Sequence, residues 1–306
     1  MVDERTLRVL EFDKIVAMLA ERTVTDRGRQ KAVEVTPSSD RGQVARRLAE
    51  TTEAASVLEA KSPPLRGIRD VAAAVQRCAI GGTAGALDLV DIAMTASATA
   101  DLKRFLSQAT QPGSPLSSHA ARIGNLRDLG NSIMECLTED GEVKDDASPE
   151  LKRIRSQMRN LAAKVRERLE SMTRSPEIAR LLQEPIVTMR AGRFVVPVRQ
   201  EHRALVPGVI HDQSASGATL FVEPMAVVEM NNEIRRLEMA ERDEIERILR
   251  DLSAALADRA AEMLETLDAA AWIDLAFAKG RLSLDQRASE PVLGSGWVID
   301  LKRARH

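Results

Sequence analysis

Tyrosine is absent from this 306-residue chain and aromatic residues make up only 2% of it. Stacking of bases on aromatic platforms is therefore excluded as the main way it would hold a nucleic acid. Cysteine occurs twice, at Cys78 and Cys136, too rarely for a disulfide framework or a cysteine zinc site, and both are read as small core residues of a protein from a reducing compartment. No Gly-Lys dipeptide occurs, so the phosphate-binding loop of nucleotide hydrolases is missing, and the GGTAG run at 81–85 lacks the lysine such a loop needs. The opening MVDERTLRVLEFDKIVAMLA carries acidic residues and no continuous apolar run, which excludes a signal peptide or membrane span there and points to the cytoplasm. With 44 Lys+Arg against 46 Asp+Glu the chain is no general polycation, and any basic surface has to be local.

What is present is helical periodicity broken by short punctuation. Leu7, Leu10, Ile15, Met18 and Leu19 suit one helical face, and Pro37 with two serines ends the next helix. Further helices are expected at about 43–60, 68–79 and 87–108, separated by Pro63-Pro64 and the GGTAG turn and followed by a QPGSP loop.

From Ser148 the pattern changes. Leu151, Ile154, Met158, Leu161, Val165 and Met172 follow alternating steps of three and four, with Arg168 at the one missed apolar position, which predicts a coiled-coil arm over 149–183. Ser148 and Pro149 supply its cap and first residue. A second arm is expected over 225–268, its seam including Val227, Met230, Ile234, Leu237, Ile245 and Ile248. Residues 152–180 carry nine Lys/Arg and three Asp/Glu, whereas 226–268 carry six and twelve, so the two arms suit an antiparallel hairpin. Between them β-branched runs at 186–190, 194–198, 208–213 and 218–222 alternate with the turns Ala191-Gly192 and Ala215-Ser216-Gly217, predicting a β lobe over 185–223 with Pro197 on an edge or bulge.

The stretch GVIHDQSASGATLFVEP, residues 208–224, is the second hairpin of that lobe and admits three readings. Catalysis by His211 with Ser216 is disfavoured, because strand alternation sends His211 and Asp212 to opposite faces and no pocket is evident. The serines and Asp212 satisfy turn groups in the second reading. In the third the lobe touches a nucleic-acid backbone, to which arginine, glutamine and small hydroxyls are suited. The basic arm has the same ambiguity: Lys152, Arg153, Arg155, Arg159, Lys164, Arg166 and Arg168 either face the acidic arm or a ligand. No spacing suggests a metal site.

LEFDKIVAMLAERTVTDRGRQKAVEVTPSSD near the start, GRFVVPVRQEHRALVPGVIHDQSASGATLFVEP in the middle and RASEPVLGSGWVIDLKRARH at the end resemble the bacterial MutS-type paralogue family that lacks the mismatch-reading domain and carries a C-terminal Smr nuclease domain. The resemblance implies a mainly α fold: a helical lever or core over 1–147 completed by 269–300, a long antiparallel coiled-coil clamp over 148–268 with a small antiparallel β lobe at its tip, and the start of an ATPase domain at 301–306. It implies contact of Arg190, Arg193, Arg199, His211, Gln213, Ser214 and Ser216 with branched or duplex DNA or with ribosomal RNA. For the whole protein it implies a homodimer using ATP and Mg, linked to suppression of recombination and to collided ribosomes. It gives this chain no cofactor, no catalytic residue and no membrane. A protein-interaction or dimerisation module without nucleic-acid contact is the alternative.

Overall fold

A computed structural model describes residues 4–294 and 299–302. Of the closing 301–306 segment only the first two residues are among them. The helices in chain order are α1 (Glu4–Val9), α2 (Phe12–Ala20), α3 (Asp26–Val33), α4 (Arg41–Ala60), α5 (Ala72–Ala79), α6 (Ala86–Ala109), α7 (Pro115–Ala121), α8 (Arg127–Cys136), α9 (Pro149–Arg174), α10 (Pro176–Ala179), α11 (Met225–Asp258) and α12 (Ala260–Asp285). The strands are β1 (Thr188–Arg190), β2 (Arg193–Arg199), β3 (Gly208–Gln213) and β4 (Thr219–Pro224). The fold is mainly α with one small antiparallel sheet, and no helix among the described residues is long and apolar enough to cross a membrane.

Two compact units result, Met1–Glu142 with Asp251–His306, and Val143–Arg250. In the first, α12 is the central element. Its buried residues include the unbroken run Ile273–Ala278, so this stretch is enclosed on every side. Phe277, Ile273, Ala269 and Ala270 pack with Leu102 and Leu106 of α6, Leu116 of α7 and Ala54 of α4. Asp40 caps α4 by accepting from the Gln43 amide at 2.7 Å, which starts that helix two residues before the apolar periodicity does. The expected arm over 225–268 is interrupted: α11 ends at Asp258, and Arg259 separates it from α12 while donating to Glu262 at 2.7 Å and to the Asn125 carbonyl at 2.8 Å.

In the second unit the sheet order is β1-β2-β4-β3, all neighbours antiparallel. Ala191 and Gly192, both at positive φ, make the two-residue turn between β1 and β2. Phe194, Val196, Val198, Leu220 and Val222 on one sheet face share a core with Val165 and Leu169 of α9 and Val227 and Ile234 of α11. Cross-contacts run in opposite directions along the two helices, from Ser148 with Glu244 and Arg155 with Glu241 towards Val165 and Leu169 near Ile234 and Val227, so α9 and α11 are antiparallel.

Three expectations are corrected here. Pro197 lies on an interior strand, between β1 and β4, not on an edge. Its missing N–H is harmless because β1 pairs only as far as Val195, and beyond it Pro197 offers just its carbonyl, to the Gln183 amide at 2.8 Å. Arg168 is exposed and Leu169 occupies the seam, because a helix of 3.6 residues per turn drifts off a strict 3.5 repeat and the seam takes two consecutive steps of four. On α11 as far as Arg250 the buried positions are Val227, Asn231, Ile234, Leu237, Glu244 and Ile248, so two polar residues replace Met230 and Ile245 at the expected seam. Each polar residue has a specific partner, and such pairs fix helix register.

Candidate nucleic-acid interface

The tip of the second unit is organised around Glu223, whose side chain is 1% exposed. β4 ends at Pro224, one residue after it, and α11 begins at once. Phe194 therefore loses its neighbour on that side. Asn231 replaces the missing strand, accepting from the Phe194 amide at 3.3 Å and donating to its carbonyl at 3.1 Å. The same Asn231 amide donates to Glu223 at 2.7 Å.

Two expected ligand-contacting residues complete this cluster. Arg193 donates to both Glu223 oxygens at 2.9 and 3.0 Å and to the Asn232 side chain at 2.7 Å. His211 lies 2.5 Å from Glu223 through Nε2. It reaches the carboxylate because β3 slips register between Ile210 and Asp212, leaving His211 as the extra residue of a bulge. Among the described residues no hydrogen bond joins His211 to Ser214 or Ser216, and the carboxylate partner is Glu223, not Asp212.

The remaining tip residues sit differently. Arg190 stacks on Phe221, 4.0 Å from guanidinium carbon to ring centre, with Nε 3.3 Å from Asp212. Arg199 is exposed and uses Nε on the Leu182 carbonyl at 3.1 Å. Gln213, also exposed, donates to Gln200 and to the Gly217 carbonyl, both at 3.1 Å. Ser214 accepts from the Thr219 amide at 3.1 Å and lies 3.4 Å from the exposed Ser216 hydroxyl. Thus Ser214 and Gln213 support the turn while Ser216, Gln213 and Arg199 stand at the surface.

On α9 the cations divide as well. Among the described residues Arg155 is the one α9 cation ion-paired to the acidic helix, at Glu241, while also meeting Asp145; these bonds outweigh burial and raise its already high pKa. Arg153 pairs with Glu150 within α9, and Arg159 with Asp145. Lys152, Lys164, Arg166 and Arg168 are exposed and have no ion-pair partner among the described residues. Arg166 lies 6.0 Å over the Phe194 ring. Glu244 at the seam is held at a pKa of about 2 by hydrogen bonds from Arg247 and Ser148.

Glu223, Asn231 and Asn232 were not foreseen. Their signal was present: Asn231 stands three residues before Ile234 and four after Val227, a polar residue on an apolar seam. Among the described residues no group of three or more His, Cys, Asp or Glu is arranged to hold a metal.

No family model matches the chain. Relatives are nevertheless found along its whole length. A protein named Endonuclease MutS2 from Symbiobacterium thermophilum is 48% identical over 307 residues, covering 100% of this chain and 38% of the relative. Proteins of the same name from a Geobacillus species and Bacillus cereus are each 40% identical, covering 99% of this chain and 39% of each relative. The chain thus spans less than two fifths of the length of these relatives.

Proposed function

Since the chain belongs to the MutS2 family, we propose that residues 143–250 form a clamp that grips the phosphate backbone of a nucleic acid, branched or duplex DNA or ribosomal RNA. The supporting observation is the row of exposed α9 cations, Lys152, Lys164, Arg166 and Arg168, left without carboxylate partners among the described residues. Had they served only to attract the acidic helix, they would be paired to it as Arg155 is. Arg190, Arg199, Gln213, Ser214 and Ser216 extend the contact surface onto the tip, and Arg193 with His211 braces it from within. Phosphate contacts of this kind position a duplex without reading its sequence.

In the whole protein two such clamps act within a homodimer, driven by ATP and Mg bound outside this chain, in the cytoplasm. The work proposed for it is suppression of recombination at branched DNA or the splitting of collided ribosomes. The relatives' name, endonuclease, describes an activity proposed for the whole protein; this chain is proposed to act as lever and clamp without chemistry of its own.

Binding of a branched DNA, a linear duplex and purified ribosomes, each at two salt concentrations, tests this reading. Salt-sensitive binding to at least one, weakened by Lys164→Ala with Arg168→Ala, is expected. Absence of binding to all three would reject it. A protein-docking tip is the second reading, favoured by exposed Leu205, Val209, Ile210 and Met225 around β3. It requires concentration-dependent association in sedimentation, lost when Ile210 becomes Lys.

A further inference from the structure

A second candidate site lies in the first unit and is independent of the clamp. A cavity of about 320 Å³ opens between α2, α4, α12 and the segment 288–291. Its walls include Leu19, Val35, Leu48 and Leu282, and Lys279 and Ser283 face it among this apolar lining. An apolar cleft with a few convergent polar groups, in the size range of small-ligand pockets, is the general form of a binding site.

Lys279 is the unusual element. The described residues provide its ammonium with neither a hydrogen bond nor an ion pair. Glu50 favours the charged ammonium through space and Arg47 opposes it, but the hydrogen bonds of the charged groups around it go elsewhere. Glu50 lies 3.4 Å from His119, Arg47 donates to the Thr36 carbonyl at 2.9 Å, and Glu290 accepts from the Thr52 hydroxyl at 2.6 Å. Three N–H donors therefore remain for something that enters the cavity.

We infer that this cavity binds a small carboxylate with an apolar body, its head on the Lys279 ammonium and its body against Leu19, Leu48 and Leu282. One lysine matches a single negative charge. A dianionic phosphate would leave charge unmet beside Glu50 and Glu290, and a neutral apolar molecule would leave the ammonium dry and unpaired. Burial already pushes the Lys279 pKa down, and a bound anion would relieve that. The segment 288–291 forms one wall and is held along α4 by the Thr52–Glu290 bond and by Arg41, which donates to the carbonyls of Leu293 and Gly294 at 2.8 and 3.0 Å.

Calorimetric titration of the 306-residue chain with octanoate, and with octylamine as the opposite-charge control, tests the site. Octanoate should bind and octylamine should not. Lys279→Met should weaken octanoate by about tenfold or more, as loss of a charge-assisted hydrogen bond implies, without lowering the melting temperature. Ser289→Trp, at an exposed position on the wall, should weaken it too and keeps the test valid if Lys279→Met fails to fold. Failure of octanoate to bind, equal binding of octylamine, or unchanged binding in either folded variant would overturn the proposal.

Discussion

Among the described residues the two least exposed carboxylates lie one in each unit, and they are used in different ways. Asp274 of α12, 0% exposed, accepts from the Val24 and Thr25 amides and from the Thr25 hydroxyl at 2.7 to 3.1 Å. It holds chiefly main chain, with Arg281 at 3.7 Å, and through Thr25, which caps α3 by accepting from Gly28, it sets where that helix begins. Glu223 instead holds side chains: Arg193, His211 and Asn231. A carboxylate that binds backbone freezes a junction. One that gathers an arginine and a bulged histidine organises a surface, as the proposed ligand-facing tip requires.

The contrast predicts unequal costs. Replacing Asp274 by Ala strands the buried Thr25 amide and hydroxyl and the part-buried Val24 amide, and is expected to cost about 3–5 kcal/mol in urea unfolding. A loss below about 1 kcal/mol would mean those amides find other partners. Glu223→Ala should cost less, about 2–3 kcal/mol, because Arg193 and His211 are already 21% and 18% exposed and can turn to water. Hydrogen exchange should then rise at Phe194 and along β3 while α12 stays protected.

A glycine is pressed against each of the two residues, on the side-chain carboxylate of Asp274 and on the backbone of Glu223, which sharpens the comparison. A Cβ on Gly28 would lie 2.3 Å from an Asp274 oxygen, and one on Gly208 2.2 Å from the Glu223 carbonyl oxygen. Alanine at either site should destabilise by about 1–3 kcal/mol through overpacking. The side-chain carboxylate can yield more readily than backbone, so Gly208→Ala is expected to be the costlier. Equal effects would remove the distinction between the two neighbourhoods.

The smallest effect concerns the polar seam pair. Ser148 caps α9 by accepting from the Leu151 amide at 3.0 Å and donates to Glu244 at 2.5 Å, so Ser148→Ala should cost about 1 kcal/mol. Glu244 has a folded pKa of about 2 against an ordinary 4.5, so its ionised form is the stabilising one. Its contribution is complete above about pH 4.5 and is lost as pH falls towards 2. Glu244→Gln should flatten the acid limb of stability in that window; an unchanged limb would place the acid sensitivity elsewhere.

Much of the fold could be read from the chain, because breakers and periods are local signals. Pro63-Pro64, the GGTAG turn and Ser148-Pro149 lie beside the observed helix boundaries, and Ala191-Gly192 marks the hairpin turn. The site was less legible. Arg193 and His211 carry the right chemistry for phosphate, but nothing along the chain places Glu223 between them: that needs the β3 bulge and the abrupt β4-to-α11 transition. The α9 cations were visible as charge, yet whether they faced the acidic helix depended on the seam drift that puts Leu169, not Arg168, inside.

The most direct test of the clamp is the salt dependence of duplex-DNA binding by the chain and by its Lys164→Ala, Arg168→Ala double variant. If those two cations each meet a phosphate, the slope of log affinity against log salt should become shallower by about 1.8, at roughly 0.9 per contact. An unchanged slope in a variant that folds as stably as the original would contradict the account and leave α9 an arm that carries charge without gripping anything.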